Sequence, residues 1–269
     1  MLSHALAALF VLFVWWASTA LVLFINGLPR STHRYSLVAA SLLGVGAMWG
    51  LAEGSSDAST SGAYRAFVCG LLVWAWHEIT FLFGVLTGPR KLPCPPDAQG
   101  WRRFWLATAA VIHHEVALAL TMAAMVGLTW GEPNQVGTWT FLVLWIMRLS
   151  AKLNVFLGVR NLAVDFIPEH LRYLTSYFRK ARANPLMPVS ILGSSGILIW
   201  LLAPALAEGA SPFVVVGTTL VATMLALGVL EHLFLALPVP DAVLWRWALR
   251  ANRREGGGTA PCPEKDAVG

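Results

Sequence analysis

Three pairings of histidine with glutamate carry the most visible chemistry in this sequence: His77-Glu78, His113-His114-Glu115 and Glu231-His232. Each lies in an apolar stretch, where an ionisable side chain is costly and usually faces a protein interior or a functional site. Imidazole and carboxylate together form the ligand set of iron, manganese or zinc. A neutral imidazole alone can ligate the central metal of a tetrapyrrole. Acids in such surroundings also have displaced pKa values, which suits proton handling. The plainest use is structural, with Glu78, Glu115 and Glu231 pairing with the cations Arg148 and Lys152 in an interhelical network.

The surrounding chain has the composition of a membrane protein. Charged residues make up 12% and hydrophobic residues 57%, whereas a soluble domain carries about 25% charge. Seven apolar segments run approximately over 5–26, 36–53, 64–87, 104–130, 137–161, 188–207 and 212–237, each near the roughly 20 residues that span hydrocarbon as a helix. The first lacks a basic n-region and carries Trp15 and Trp16, so it reads as a membrane helix rather than a cleaved signal. The sequence therefore predicts an all-α, polytopic bundle of seven transmembrane helices over residues 1–237, followed by a cytoplasmic tail over 238–269.

Charge in the connections sets the orientation. Arg30 and Arg34 follow helix 1, Arg90, Lys91, Arg102 and Arg103 follow helix 3, and Arg172, Arg179, Lys180 and Arg182 follow helix 5. The tail holds Arg246, Arg250, Arg253 and Arg254, while the remaining connections lack Lys and Arg. The positive-inside rule then places the N-terminus outside and the C-terminus in the cytoplasm, with Arg65 a mild exception. The net charge of +5 follows from this topology and from contact with membrane lipids, not from nucleic-acid binding. Cys69, Cys94 and Cys262 form neither a disulfide framework nor a metal-binding spacing.

Between helices 5 and 6, Ile167, Leu171, Leu174 and Phe178 recur with helical period among Arg172, Arg179, Lys180 and Arg182, and Pro168 suits a first turn. This predicts an interfacial amphipathic helix over about 165–183. In helix 6, Gly193-Ser194-Ser195-Gly196 suits close helix packing. Ser194 and Ser195 have no nucleophile-elbow context.

Depth brings the ionisable groups together. His77-Glu78 and His114-Glu115 each fall about ten residues, or roughly 15 Å, from the cytoplasmic helix ends. Glu231-His232 lies somewhat nearer the surface, and helix 5 adds Arg148, Lys152 and Asn154. As metal ligands, the candidates are Glu78, Glu115, Glu231, His77, His114 and His232, with Asn154 a further oxygen. Adjacent residues stand about 100° apart on a helix, however, and the known bundle metal motif is Glu-x-x-His. As tetrapyrrole ligands, the candidates are His77, His114 and His232, oriented by the neighbouring acids. As a proton or ion path, the groups are Glu78, Glu115 and Glu231.

Several short runs resemble a known family. Ala75-Trp76-His77-Glu78 with Phe81, Thr87-Gly88-Pro89-Arg90, and His114-Glu115 are similar to PuhE-type photosynthetic complex assembly proteins. So are the stretch from Lys152 to Val159 and Asn184-Pro185-Leu186-Met187-Pro188. The resemblance covers roughly Trp15 to Leu237. It implies a multi-pass protein of a purple-bacterial inner membrane, concerned with assembly of the reaction centre and core antenna or with bacteriochlorophyll supply. The implied partners are reaction-centre or core-antenna subunits, and the implied ligand is bacteriochlorophyll or a precursor. The competing reading is a membrane metalloenzyme, an oxygen-dependent oxidoreductase using iron or manganese on a tetrapyrrole or lipid-soluble substrate.

Overall fold

Long apolar runs broken by Gly, Pro and charged turns give helices wherever the chain must satisfy its own backbone in lipid. The computed structural model describes residues 1–162, 164 and 167–237. Seven helices follow one another: α1 (Leu2–Gly27), α2 (His33–Gly54), α3 (Thr60–Leu82), α4 (Gly100–Leu128), α5 (Val136–Leu157), α6 (Leu186–Leu206) and α7 (Pro212–Ala236). All seven are long and apolar enough to cross a membrane. Among the described residues the only extended pairing is an isolated bridge between Val159 and Lys180. The tail expected over 238–269 lies outside the described residues.

Alternate connections gather at opposite ends. At the basic end, His33 stacks on Phe83 with ring centroids 4.0 Å apart. There Arg103 donates to the Phe156 and Tyr177 carbonyls at 3.1 and 2.6 Å. At the other end, Asn134 Nδ2 donates to the Gly54 and Asp57 carbonyls at 3.2 and 3.0 Å. Arg65 belongs to this second end, where Asp57 pairs with it.

α3 packs against α1, α2, α5 and α7. Its crossing with α5 is unusually close because both partners lack side chains: a Cβ on Gly70 would stand 2.6 Å from the Gly137 carbonyl oxygen. That approach brings the inner halves of α3 and α5 within reach of one another's long polar side chains.

Several boundaries differ from the sequence expectation, and at three of them the structure shows why. α3 begins at Thr60, because the Ser59 hydroxyl accepts the Gly62 N–H at 3.0 Å. It ends at Leu82, because Gly84 adopts φ +73° and the Thr80 carbonyl takes the N–H groups of Val85 and Leu86. α5 ends at Leu157, where Gly158 at φ +130° turns the chain into the bridge with residues 179–181.

The amphipathic helix expected over 165–183 is shorter and differently wound. A 3-10 helix spans Glu169–Tyr177 and buries Leu171, Leu174 and Tyr177. Their spacing of three residues matches the 3-10 period, so Tyr177 takes the inward place assigned to Phe178, and residues 178–181 run extended. Residues 165 and 166 lie outside the described residues. This helix packs on Ala110, Leu106 and Phe81 of the bundle. In α6, a Cβ at Gly193 or Gly196 would meet nothing within 4 Å, so neither glycine serves a close helix contact here; only Ser194 of that run is buried.

Candidate functional site

The site is built on α5. Arg148 and Lys152 stand one turn apart, so both cations project from one face. Arg148 donates to Glu78 of α3 at 2.9 Å and lies 3.6 Å from Glu231 of α7. Lys152 donates to Glu115 of α4 at 2.6 Å, and Trp145 Nε1 donates to the other oxygen of Glu115 at 3.2 Å. The Lys152 ammonium also lies 5.5 Å over the Phe81 ring. Two cations of one helix thereby hold carboxylates of three others.

Beside this ion network lie two enclosed imidazoles. His77 is 0% and His114 1% exposed, with ring centroids 6.1 Å apart. His77 Nε2 is 3.0 Å from the Thr121 hydroxyl of α4. The Nδ1 atoms of His77 and His114 are buried without a hydrogen-bond partner. Trp76, Phe81 and Phe141 pack around the two rings with centroids 4.7 to 5.8 Å away. His113, by contrast, is exposed on the outer face of α4.

A backbone clamp fixes His114. The chain after α3 folds back against α4, where the Thr87 carbonyl accepts the His114 N–H at 3.0 Å and Arg90 N–H donates to Ala109 at 3.2 Å. Gly88 lies between these bonds, and a Cβ there would overlap the Ala109 carbonyl oxygen. Glycine is required by this close approach.

His232 belongs to a separate cluster. Its Nδ1 donates to the Gly228 carbonyl at 2.8 Å, and its Nε2 lies 2.9 Å from Ser150 Oγ. Ser150 Oγ is also 2.9 Å from Ser190 Oγ, which accepts from Asn154 Nδ2 at 3.0 Å. Because the Gly228 carbonyl only accepts, Nδ1 carries a proton. Glu231 and His232 thus point into different clusters, as their angular separation on a helix requires.

Thr121, Trp145, Ser150 and Ser190 complete these clusters and were not evident in the sequence. Hydroxyls in apolar helices usually satisfy their own helix, as Thr140 does by donating to the Val136 carbonyl at 2.7 Å. Only Ser150's place between Arg148 and Lys152 offered a hint.

The geometry can be tested against the expected ligands. Among the described residues, no three His, Cys, Asp or Glu side chains converge as a metal's ligand set. Glu78, Glu115 and Glu231 face cations instead. This arrangement does not fit iron or manganese. For a tetrapyrrole, His232 has both ring nitrogens engaged. His77 and His114 each keep an unengaged Nδ1, but both rings are closed among aromatic side chains. A planar macrocycle does not fit between them as packed.

Comparison with known proteins adds the biological setting. The family described as "Protein of unknown function (DUF3623)" matches residues 1–256. The chain is 38% identical over 253 residues to the "Uncharacterized 30.4 kDa protein in puhA 5'region" of Rhodobacter capsulatus, covering 91% of this chain and 90% of the relative. No solved structure matches.

Proposed function

The chain belongs to the DUF3623 family, and from that premise we propose that it is an integral-membrane factor for assembly of the photosynthetic reaction centre and core antenna. The observation that carries this reading is the location given in the name of the Rhodobacter capsulatus relative, the puhA 5' region, at 38% identity over 91% of the chain. On this reading the protein resides in a bacterial inner membrane with its basic end in the cytoplasm. The sequence runs that resemble assembly proteins fall on the elements that build the network. Ala75–Glu78 supplies His77 and Glu78, while Thr87–Arg90 clamps α4. Lys152–Val159 supplies Lys152 and Asn154, and Asn184 caps α6 by accepting from Leu186 and Met187 N–H at 2.9 and 3.0 Å.

The site's chemistry favours holding and presenting over bond-making. Glu78 and Glu115 are committed to cations, and its imidazoles are enclosed or hydrogen-bonded. Such a network fixes helix positions, which a scaffold for other membrane subunits needs. Pigment handling is the second reading, favoured by the unengaged Nδ1 atoms of His77 and His114. In it, bacteriochlorophyll binding requires α3 and α4 to part.

Affinity purification of the tagged protein from photosynthetic membranes tests both. The assembly reading predicts co-purifying reaction-centre or core-antenna subunits, retained in His77→Ala and His114→Ala. A stoichiometric tetrapyrrole spectrum lost in those variants supports pigment handling instead. A stoichiometric metal without subunits contradicts both.

A further inference from the structure

The ion network is unevenly enclosed. Side-chain exposure rises from 13% at Glu78 and 16% at Glu115, through 29% at Lys152 and 41% at Arg148, to 48% at Glu231. The open end is therefore Glu231. It is also the least satisfied member, since Arg148 lies 3.6 Å from Glu231 but 2.9 Å from Glu78. Among the described residues the network sets three carboxylates against two cations, and distance and exposure make Glu231 the one in excess.

The surroundings make this charge costly. Glu231 lies five residues inside the end of α7 at Ala236, about 8 Å along the helix axis. Leu230, its neighbour in the chain, is exposed and apolar. A carboxylate at that depth on a lipid-facing surface needs a partner.

We infer that Glu231 is the docking seat for a transmembrane helix of another protein that carries a Lys or Arg at the same depth. The inference rests on the assembly reading and names the surface and partner chemistry it uses. Charge complementarity selects a cation. Depth selects one hung from a helix, because lipid headgroups lie further out. A second copy of this chain is a poor donor, because its own cations at this depth, Arg148 and Lys152, are already paired. Affinity for the cation comes from Glu231, and the exposed Leu230 next to it offers apolar contact.

The test uses the full chain reconstituted in phosphatidylcholine–phosphatidylglycerol vesicles. Leucine–alanine transmembrane peptides bear a single Lys, Leu or Glu at the matching depth, and association is read by energy transfer. The seat predicts that the Lys peptide binds about tenfold more tightly than the Leu peptide, and the Glu peptide no better than Leu. Glu231→Gln, on an exposed position, leaves helical content unchanged and abolishes the Lys preference, while Glu132→Gln in the opposite end loop preserves it. Equal binding of all three peptides overturns the inference, as does a preference that survives Glu231→Gln. Energy transfer between two copies that Glu231→Gln abolishes also overturns it, in favour of self-association. So does a Lys preference erased by phosphatidylethanolamine, in favour of a lipid amine. Gene deletion reads separately: unchanged reaction-centre levels sink the assembly role while leaving the peptide result standing.

Discussion

Lys152 is held by one carboxylate and one aromatic face, and its loss of either is measurable. Glu115→Ala leaves the ammonium with no acid and strands Trp145 Nε1. Breaking a largely enclosed pair by removing one partner costs about 2–4 kcal/mol. Glu115→Gln with Lys152→Met removes both charges and costs less than the single substitution, as unfolding in mixed micelles will show. Ser150→Ala deprives His232 Nε2 and Ser190 of a common partner and costs about 1–2 kcal/mol in the same measurement. At this scale the sequence revealed the acids and the i, i+4 cations, because charge in an apolar run is conspicuous. It concealed Ser150, Ser190 and Thr121, because hydroxyls in membrane helices are inconspicuous. It also grouped His232 with His77 and His114, because depth alone does not record which way a side chain points. The structure divides them by partner: His232 turns to Ser150, His77 to Thr121.

The elements around the site depend on a few backbone positions. Gly88→Ala forces a methyl group into the Ala109 carbonyl and pulls the 87–90 clamp from α4. Hydrogen exchange at His114 N–H should then accelerate, while exchange in α7 stays unchanged. The 3-10 helix Glu169–Tyr177 gives a pH signature. His170 Nε2 donates to the Leu82 carbonyl at 2.9 Å, which closes the end of α3. Burial holds its pKa below the usual histidine value against that bond, and Arg30, His33 and Lys91 add to the lowering. The undocked segment therefore takes up a proton first as pH falls. Docking is at full strength above about pH 6.5 and weakens below it. Residues 169–177 should exchange faster at about pH 5 than at pH 7.5 after correction for intrinsic rates, and His170→Gln should remove the difference. The seven helices were legible from apolar length alone. The fold-back of 83–91 and the 3-10 winding of 169–177 were not, since each depends on contacts with α4 that no local period encodes.

As a whole, the molecule is a seven-helix bundle whose charged network ties α3, α4 and α7 to α5. Its basic connections gather at one end. The proposed orientation predicts that single cysteines placed at Gln99 and Arg172, in a background without the native cysteines, label from the cytoplasmic side only, and one at Ser56 from the outside only. Family membership and the puhA-region relative supply a setting that bundle geometry does not contain. The proposed role in assembly of photosynthetic complexes makes the reaction centre itself the readout. The most direct test is the photobleachable reaction-centre absorbance per milligram of membrane protein in a purple bacterium lacking the gene, with and without complementation. An assembly factor's loss lowers reaction-centre and core-antenna absorbance several-fold, and the wild-type chain restores it. Unchanged absorbance in the deletion strain would contradict that role.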